Sequence, residues 1–163
     1  MIEVFLFRIT KEKNNKEKMF KKIGINEKDI KYSIYGKPYL QKSFISISAS
    51  GKWFVIALSH KNIGIDIQCI TKVKDRDFIR SICNADLSQR NFYKLWTRIE
   101  SYLKFTGEGL NGIDSVGIDS KKLELITNEK DIQYYTKWID KNHVLSVCIQ
   151  NREKNILMLN IYT

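Results

Sequence analysis

The sequence has only one proline, three cysteines and two histidines among its 163 residues. A single proline leaves no extended linker. The cysteines (Cys69, Cys83, Cys148) are odd in number and widely spaced without a Cys-x-x-Cys pair, which indicates neither a disulfide framework nor a zinc site. Cys69 and Cys148 fall within apolar, strand-like runs, which predicts buried thiols rather than nucleophiles. His60 and His143 have no obvious partner in the sequence and are assigned no role.

The sequence also lacks an apolar run approaching the roughly 20 residues of a membrane-spanning helix. Residues 1–8 are mostly apolar, but this stretch is too short for a signal peptide and is interrupted by the charged residues Glu3 and Arg8. We therefore expect a protein of the reducing cytoplasm that does not associate with a membrane.

Apolar residues and positive charge are abundant. Hydrophobic residues make up 43% of the chain and aromatic residues 12%, enough for one folded domain or for two small halves that share a core. The formal charge of +10 suggests a nucleic acid, a membrane surface, a nucleotide or an acidic protein as partner, and charge alone does not choose among them. A basic nucleic-acid binder is only a third hypothesis for the function, because no helix-turn-helix, zinc or RNA-recognition signature accompanies the charge.

The hydrophobic pattern predicts an α+β fold. A hairpin is expected around Gly51-Lys52, and Ser88 and Gly107 are expected to begin and end a long helix. The predicted strands are 2–9, 44–50, 53–59, 63–70, 123–126, 133–139, 144–150 and 156–162. The predicted helices are 13–23, 75–83 and 88–105, with a turn or short helix at 26–30. A strand–helix–strands order thus occurs twice, which indicates two related halves, 1–61 and 62–163.

Two of these segments carry the candidate chemistry. In the strand 63–70, Asp66 and Gln68 share one face while the isoleucines line the other. In the helix 88–105, Glu100 and Lys104 lie one turn apart beside the apolar stripe. A buried Asp66 needs a cation or a hydrogen-bond donor. An acid from a strand with an acid and a base from a helix is typical of an oxygen-ligand metal site that faces a phosphate.

These segments belong to an ordered set of motifs. The set comprises Gly36-Lys37-Pro38, Ser48-Ala49-Ser50-Gly51, Gly64-Ile65-Asp66-Ile67-Gln68, Trp96-Thr97-Arg98-Ile99-Glu100-Ser101-Tyr102-Leu103-Lys104 and Gly107-Glu108-Gly109-Leu110. In order and spacing it resembles the phosphopantetheinyl transferases of the surfactin-synthetase type, across roughly half of the chain. This resemblance implies a pseudo-dimer of two small α+β units with coenzyme A in a cleft between them, here with a shortened first half.

The resemblance also implies a reaction and its site residues. The reaction is transfer of 4'-phosphopantetheine from coenzyme A to a serine of an acyl or peptidyl carrier protein. Asp66, Glu100 and Lys104 would be catalytic, and Mg²⁺ would be held by Asp66 and Glu100, with Gln68 as an outer ligand. The coenzyme A contacts would come from Gly36, Lys37, Pro38, Ser48, Ser50 and Lys104. A monomer is expected, with a homodimer as the alternative.

Three positions depart from the family pattern. Ala49 replaces a histidine expected at the 3'-phosphate, Gln68 replaces a carboxylate, and Ile99 replaces a lysine. Each change removes a charged or titratable group from the expected site. The second hypothesis is therefore a coenzyme A or nucleotide-binding module that keeps the fold but has lost catalysis. In either case Ile99 is expected to pack in the core. Ser46, Ser48 and Ser50 are expected to share one face of a strand, where they would either offer hydroxyls to phosphate or form a solvated edge.

Overall fold

The computed structural model describes residues 1–9, 15–71, 87–119, 121–150 and 157–162. Within them the helices are α1 (Asn15–Lys22) and α2 (Gln89–Thr106), with short 3-10 helices at Glu27–Asp29 and Gly109–Ser115. The strands are β1 (Ile2–Arg8), β2 (Lys31–Tyr32), β3 (Pro38–Tyr39), β4 (Phe44–Ser50), β5 (Trp53–Ser59), β6 (Ile63–Cys69), β7 (Gly117–Asp119), β8 (Glu124–Ile126), β9 (Ile132–Asp140), β10 (His143–Gln150) and β11 (Leu157–Tyr162). The chain is an α+β protein, as predicted.

A six-stranded sheet carries the first half of the chain. Its strand order is β11-β1-β5-β4-β3-β2, with β11 parallel to β1 and the other pairs antiparallel. Helix α1 packs on one face of this sheet, where its residues Met19 and Phe20 lie in one apolar cluster with Phe54 and Ile56 of β5. This sheet therefore combines strands from both ends of the chain.

A three-stranded antiparallel sheet, β6-β10-β9, lies between the larger sheet and α2. The isoleucines of β6 are fully buried in one cluster with Val4, Leu6 and Val55 of the larger sheet, whereas the other face of β6 packs on α2. Alternation of side chains along β6 thus sends the isoleucines to the inter-sheet core and Asp66 toward the helix.

Three serines of β4 join the two sheets. The hydroxyl oxygens of Ser46, Ser48 and Ser50 accept hydrogen bonds from the backbone N–H groups of residues 65, 67 and 69, at 3.0, 3.3 and 2.8 Å. One edge of β6 pairs with β10, and these serines satisfy the N–H groups on its other edge, which burial would otherwise leave unpaired. The predicted common face of the serines is confirmed, but Ser46 and Ser48 are buried and do not form a solvated edge.

The predicted elements match the structure best where local signals are strong. Ser88 caps α2 through a bond from the N–H of Asn91 to its hydroxyl, and Gly107 ends the helix with φ of 82°. The turn or short helix predicted at 26–30 is the 3-10 helix Glu27–Asp29, whereas β2, β3 and β7 were not predicted. The helix predicted at 75–83 lies outside the described residues. No helix among the residues that the structure describes is long and apolar enough to cross a membrane.

Candidate active site

Asp66 is the centre of the site. The residue is 1% exposed, and it lies on the face of β6 that meets α2. Oδ1 accepts hydrogen bonds from the Ser48 hydroxyl and from Nζ of Lys104, each at 2.7 Å, and Oδ2 accepts one from the amide nitrogen of Gln68 at 3.1 Å. A buried carboxylate requires such partners, and here an ammonium group supplies the compensating charge.

Gly64 allows α2 to approach this strand. A Cβ built at Gly64 would lie 1.9 Å from the carbonyl oxygen of Ser101 and 2.5 Å from the backbone nitrogen of Phe105. Only a residue without a side chain fits there. The close approach brings Lys104, between those two helix residues, onto Asp66.

Glu100 lies one turn before Lys104 on α2 and is half-buried. Burial raises the pKa of its carboxyl group, the negative charge of Asp66 raises it further, and Lys104 partly lowers it. The charge of Asp66 therefore acts on Glu100, although 34 positions separate residues 66 and 100 in sequence. A carboxyl group with a raised pKa holds its proton more readily near neutral pH, which is the property of a general base or acid.

A pocket of about 170 Å³ lies beside these residues. Gly36, Lys37 and Pro38 line one wall, and Lys104, Gly107 and Gly109 line another. Two motifs that are distant in sequence therefore meet at one pocket, with Lys104 shared between the pocket and Asp66. Tyr35 also lines it and was not predicted as a site residue, although it directly precedes the Gly-Lys-Pro motif. Ser46, one of the three serines expected either to offer hydroxyls to phosphate or to form a solvated edge, lines the pocket as well.

Lys37 turns its ammonium group toward the end of α2. Nζ donates to the carbonyl oxygen of Phe105 at 2.6 Å and to the side-chain oxygen of Asn62. Burial lowers the pKa of Lys37 to about 8. An ammonium group has three N–H bonds, so two are used within the protein.

The other motif residues lie in different environments: two serines bond β6, Ala49 is exposed, and Ile99 is buried. The Ser48 hydroxyl is engaged by Asp66 and by the backbone of residue 67, and Ser50 accepts from the N–H of Cys69. Ala49 is exposed on the opposite face of β4. Ile99 is 1% exposed in an apolar cluster with Tyr102, Leu103 and Cys148, which confirms its expected core position.

The donor set suits a hard cation. Within the described ranges no three His, Cys, Asp or Glu side chains come together as a metal-binding group. Asp66 and Glu100 nevertheless offer two oxygen donors whose charges interact, because burial raises the pKa of Glu100 and the negative charge of Asp66 raises it further. Mg²⁺ commonly takes one or two protein carboxylates and completes its shell with phosphate oxygens and water. The pair therefore fits Mg²⁺ together with a phosphate ligand.

The comparison with known families decides the classification. Residues 62–151 match the model of the 4'-phosphopantetheinyl transferase superfamily. The chain belongs to this superfamily. The matched segment begins just before β6 and includes α2 and β10, so it contains Asp66, Glu100 and Lys104.

Curated relatives extend the similarity. A 4'-phosphopantetheinyl transferase of Bacillus subtilis is 31% identical over 152 residues, covering 78% of this chain and 66% of the relative. The 4'-phosphopantetheinyl transferase gsp of Aneurinibacillus migulanus is 29% identical over 131 residues, covering 74% of this chain and 47% of the relative. The 4'-phosphopantetheinyl transferase Sfp of Bacillus subtilis strain 168 is 28% identical over 145 residues, covering 76% of this chain and 65% of the relative. The chain thus spans between about half and two thirds of the length of these relatives.

Proposed function

We propose that this protein transfers 4'-phosphopantetheine from coenzyme A to a serine hydroxyl of an acyl or peptidyl carrier protein and releases 3',5'-adenosine bisphosphate. The observation that carries the proposal is the convergence of Asp66, Glu100 and Lys104 beside the pocket lined by Gly36, Lys37 and Pro38. Superfamily membership and the names of the relatives support the same reaction.

In this proposal Asp66 and Glu100 hold Mg²⁺. The residues fit, since both are oxygen donors and the pKa of Glu100 is raised by burial and then by the charge of Asp66, both of which a bound cation would offset. When bound, the ion supplies positive charge on the diphosphate of coenzyme A. Gln68, whose amide nitrogen bonds Asp66, stays outside the first coordination shell and orients that carboxylate.

Glu100 and Lys104 have complementary roles in the transfer. Glu100, directly or through a water molecule, accepts the proton of the attacking serine hydroxyl. Lys104 lies 31% exposed at the mouth of the site and stabilises negative charge on the departing bisphosphate. The serine oxygen forms the new bond to phosphorus, and the diphosphate bridge breaks.

The coenzyme A contacts follow from the pocket. Gly36, Lys37, Pro38 and Lys104 bind the phosphate-bearing end, with the third N–H of Lys37 available to a phosphate oxygen. Ser48 and Ser50 keep their bonds to β6 and contribute by fixing that strand beside the pocket. The positive net charge suits both a polyanionic substrate and an acidic carrier protein.

The architecture proposed for this reaction is a pseudo-dimer of two halves, 1–61 and 62–163, with coenzyme A in a cleft between them. The doubled strand–helix–strands order supports it. A monomer is proposed, because one chain supplies the Gly-Lys-Pro wall and the acidic pair together. The cytoplasmic location expected from the sequence stays a prediction.

A transfer assay tests the function. The protein is incubated with an apo carrier protein, coenzyme A and Mg²⁺, and the carrier is weighed by intact-mass spectrometry. We expect the phosphopantetheine mass increment with the wild type and none with Glu100→Gln. An increment that persists unchanged in Glu100→Gln would refute the role of that residue.

The same assay separates the second hypothesis. Titration calorimetry with coenzyme A is run on the same preparation. Binding of coenzyme A without any increment, across several carrier proteins, would identify a binding module that has lost catalysis. The tight bonding of Asp66 by Lys104, Ser48 and Gln68 is the structural observation that favours this alternative.

A further inference from the structure

A second pocket lies beside α2, away from the catalytic residues. It has a volume of about 570 Å³, larger than the pocket of about 170 Å³ beside Asp66. Arg98 of α2 lines it together with residues 124–127, 129 and 131–134 of β8, β9 and the turn between them. Arg98 precedes Glu100 by two residues, which is about 200° around an α-helix. The two residues therefore point to different sides of α2, and the proposed transfer assigns this pocket no role.

The guanidinium group of Arg98 is only partly used within the protein. Nε donates to Oγ1 of Thr136 at 2.9 Å, and Nη1 donates to the carbonyl oxygen of Leu123 at 2.5 Å. These are two of five N–H bonds, and no ion pair involves Arg98 among the residues that the structure describes. Burial lowers the pKa of Arg98, and the negative charge of Glu124 partly offsets this effect. A half-buried cation with three unused N–H bonds thus lines the pocket, and such a group favours a carboxylate or phosphate.

The position of Arg98 is fixed by its surroundings. Oγ1 of Thr136 lies 3.0 Å from Oγ of Ser146, which lies 2.8 Å from Oγ1 of Thr97, and both Ser146 and Thr97 are fully buried. Leu123, the other partner of Arg98, has a φ of 55°, a left-handed conformation that bulky residues rarely adopt. Strain of this kind is common where a ligand is held. The guanidinium group is therefore oriented before any ligand arrives.

Three carboxylates give the same pocket a negative side. Glu124, Glu129 and Asp131 line it and are exposed. A phosphate would pair with Arg98 but would be repelled by these carboxylates, and an amine would pair with the carboxylates but would be repelled by Arg98. A ligand that carries both a carboxylate and an ammonium group satisfies both sides. The charge pattern therefore favours a zwitterion.

Strands β8 and β9, which bound the pocket, are both edge strands. They follow each other in the chain but belong to different sheets, and each lies at the edge of its sheet in the part of the chain that the structure describes. Side chains of successive strand residues point to opposite faces, yet residues 124–126 and 132–134 line the pocket in unbroken runs. Backbone therefore bounds the pocket as well as side chains. The unpaired N–H and C=O groups of an edge strand bond the backbone of a peptide.

We infer that this pocket binds a short peptide with free ends. The terminal carboxylate of the peptide pairs with Arg98, and its terminal ammonium group pairs with the carboxylates of Glu124, Glu129 and Asp131. The edges of β8 and β9 bond the peptide backbone between these charged ends. Binding at this pocket requires neither coenzyme A nor Mg²⁺.

The experiment is an amide NMR titration of the wild-type protein with trialanine at pH 7 and low salt, without coenzyme A or metal. N-acetyl-trialanine, which lacks the ammonium group, and trialanine amide, which lacks the carboxylate, are titrated in parallel. We expect trialanine to shift the signals of β8, β9 and Arg98. Each blocked peptide should bind at least about tenfold more weakly, because it leaves one charged side of the pocket unpaired. No binding of trialanine, shifts confined to other parts of the protein, or equal affinity for the three peptides would overturn the inference.

A matched pair of arginine variants tests the positive side. Arg98→Met should weaken the binding of trialanine at least about tenfold, by loss of a charged hydrogen-bond donor. Arg90 lies on the same helix and also donates through Nη1 to a backbone carbonyl, that of Lys141, but it does not line the pocket. Arg90→Met should therefore leave the affinity unchanged. An unchanged affinity in a folded Arg98→Met protein would overturn the inference.

A variant without the three carboxylates tests the negative side, and it decides if Arg98→Met fails to fold. It carries Glu124→Gln, Glu129→Gln and Asp131→Asn, all at exposed positions. We expect it to bind trialanine at least about tenfold more weakly, with less effect on N-acetyl-trialanine, which has no ammonium group to lose. The control removes three exposed carboxylates elsewhere, by Glu17→Gln, Glu27→Gln and Asp29→Asn. Equal affinities for trialanine in the variant and the control would overturn the inference.

Discussion

At the scale of single residues, the site is organised around the carboxylate of Asp66. Ser48, Gln68 and Lys104 all donate to it, so its orientation is set before any ligand is bound. Sequence reasoning predicted that a buried Asp66 needs a cation or a donor. It did not predict which residues would donate, because Ser48 and Lys104 meet Asp66 only through the packing of three separate elements.

Replacement of Ser48 should weaken the binding of Mg²⁺. Ser48→Ala and Ser46→Ala each remove one bond to the backbone of β6, so each should destabilise the protein by about 1–3 kcal/mol in urea unfolding. Only Ser48 also donates to Asp66. We expect Ser48→Ala alone to raise the Mg²⁺ concentration for half-maximal transfer, by about 10–100-fold, as for other outer-shell partners. Equal Mg²⁺ requirements in the two variants would contradict this role.

Glu100 should destabilise the metal-free protein as the pH rises. Burial and the charge of Asp66 raise the pKa of Glu100 in the folded protein above its value in the unfolded chain. The folded state is therefore favoured while Glu100 is protonated, below its unfolded pKa. This stability is lost as the pH rises through the folded pKa and Glu100 ionises. Glu100→Gln should therefore unfold at a higher urea concentration than the wild type at pH 7, and the difference should shrink toward pH 4.

The measurement is urea unfolding in the presence of a metal chelator, from pH 4 to pH 7. Glu17→Gln, at an exposed position of α1, serves as the control for loss of one negative charge. A wild type that is as stable as Glu100→Gln at every pH would show that neither burial nor Asp66 disfavours the charged form of Glu100.

At the scale of elements, the contact of β6 with α2 forms the site. Helix α2 was predictable, because its apolar spacing, its cap at Ser88 and its stop at Gly107 are all local signals. Strand β6 was predictable from its isoleucines. The strand β3 was not, because Pro38 disfavours a strand and only pairing with β2 and β4 defines it. The serine bonds between β4 and β6 were also unpredictable, since they depend on two sheets meeting.

Gly64→Ala should separate this strand from the helix. Its new Cβ would overlap backbone atoms of residues 101 and 105, which cannot rotate away. We expect a loss of about 1–3 kcal/mol, the usual range for overpacking, with a larger loss of transfer as Lys104 moves from Asp66. Gly117→Ala, where the nearest contact is 3.3 Å, is the control. Wild-type stability and transfer in Gly64→Ala would contradict the described packing.

At the scale of the whole molecule, the two ends of the chain share one sheet. Strand β11 pairs with β1, and β6 is bonded to β4 by the serines, so the segments 1–61 and 62–163 are joined at two places. The sequence predicted the strands at both ends. Their parallel pairing depends on contacts between residues more than 150 positions apart, such as Ile2 and Leu157, which no local pattern encodes.

This connection predicts cooperative unfolding. Far-UV circular dichroism and tryptophan fluorescence should give coincident urea transitions, because both segments contribute strands to the six-stranded sheet and the serines bond β4 to β6. Trp53 reports on the first segment, and Trp96 and Trp138 report on the second. Two separated transitions would show that the segments are independent domains.

The most direct test of the account is a crystal structure of the complex with coenzyme A and Mn²⁺, a substitute for Mg²⁺ that gives an anomalous signal. We predict one anomalous peak within coordination distance of carboxylate oxygens of both Asp66 and Glu100, and adjacent to the diphosphate. A complex in which coenzyme A is bound but the peak is missing from this pair, or lies elsewhere, would contradict the central claim that the two residues hold one divalent cation.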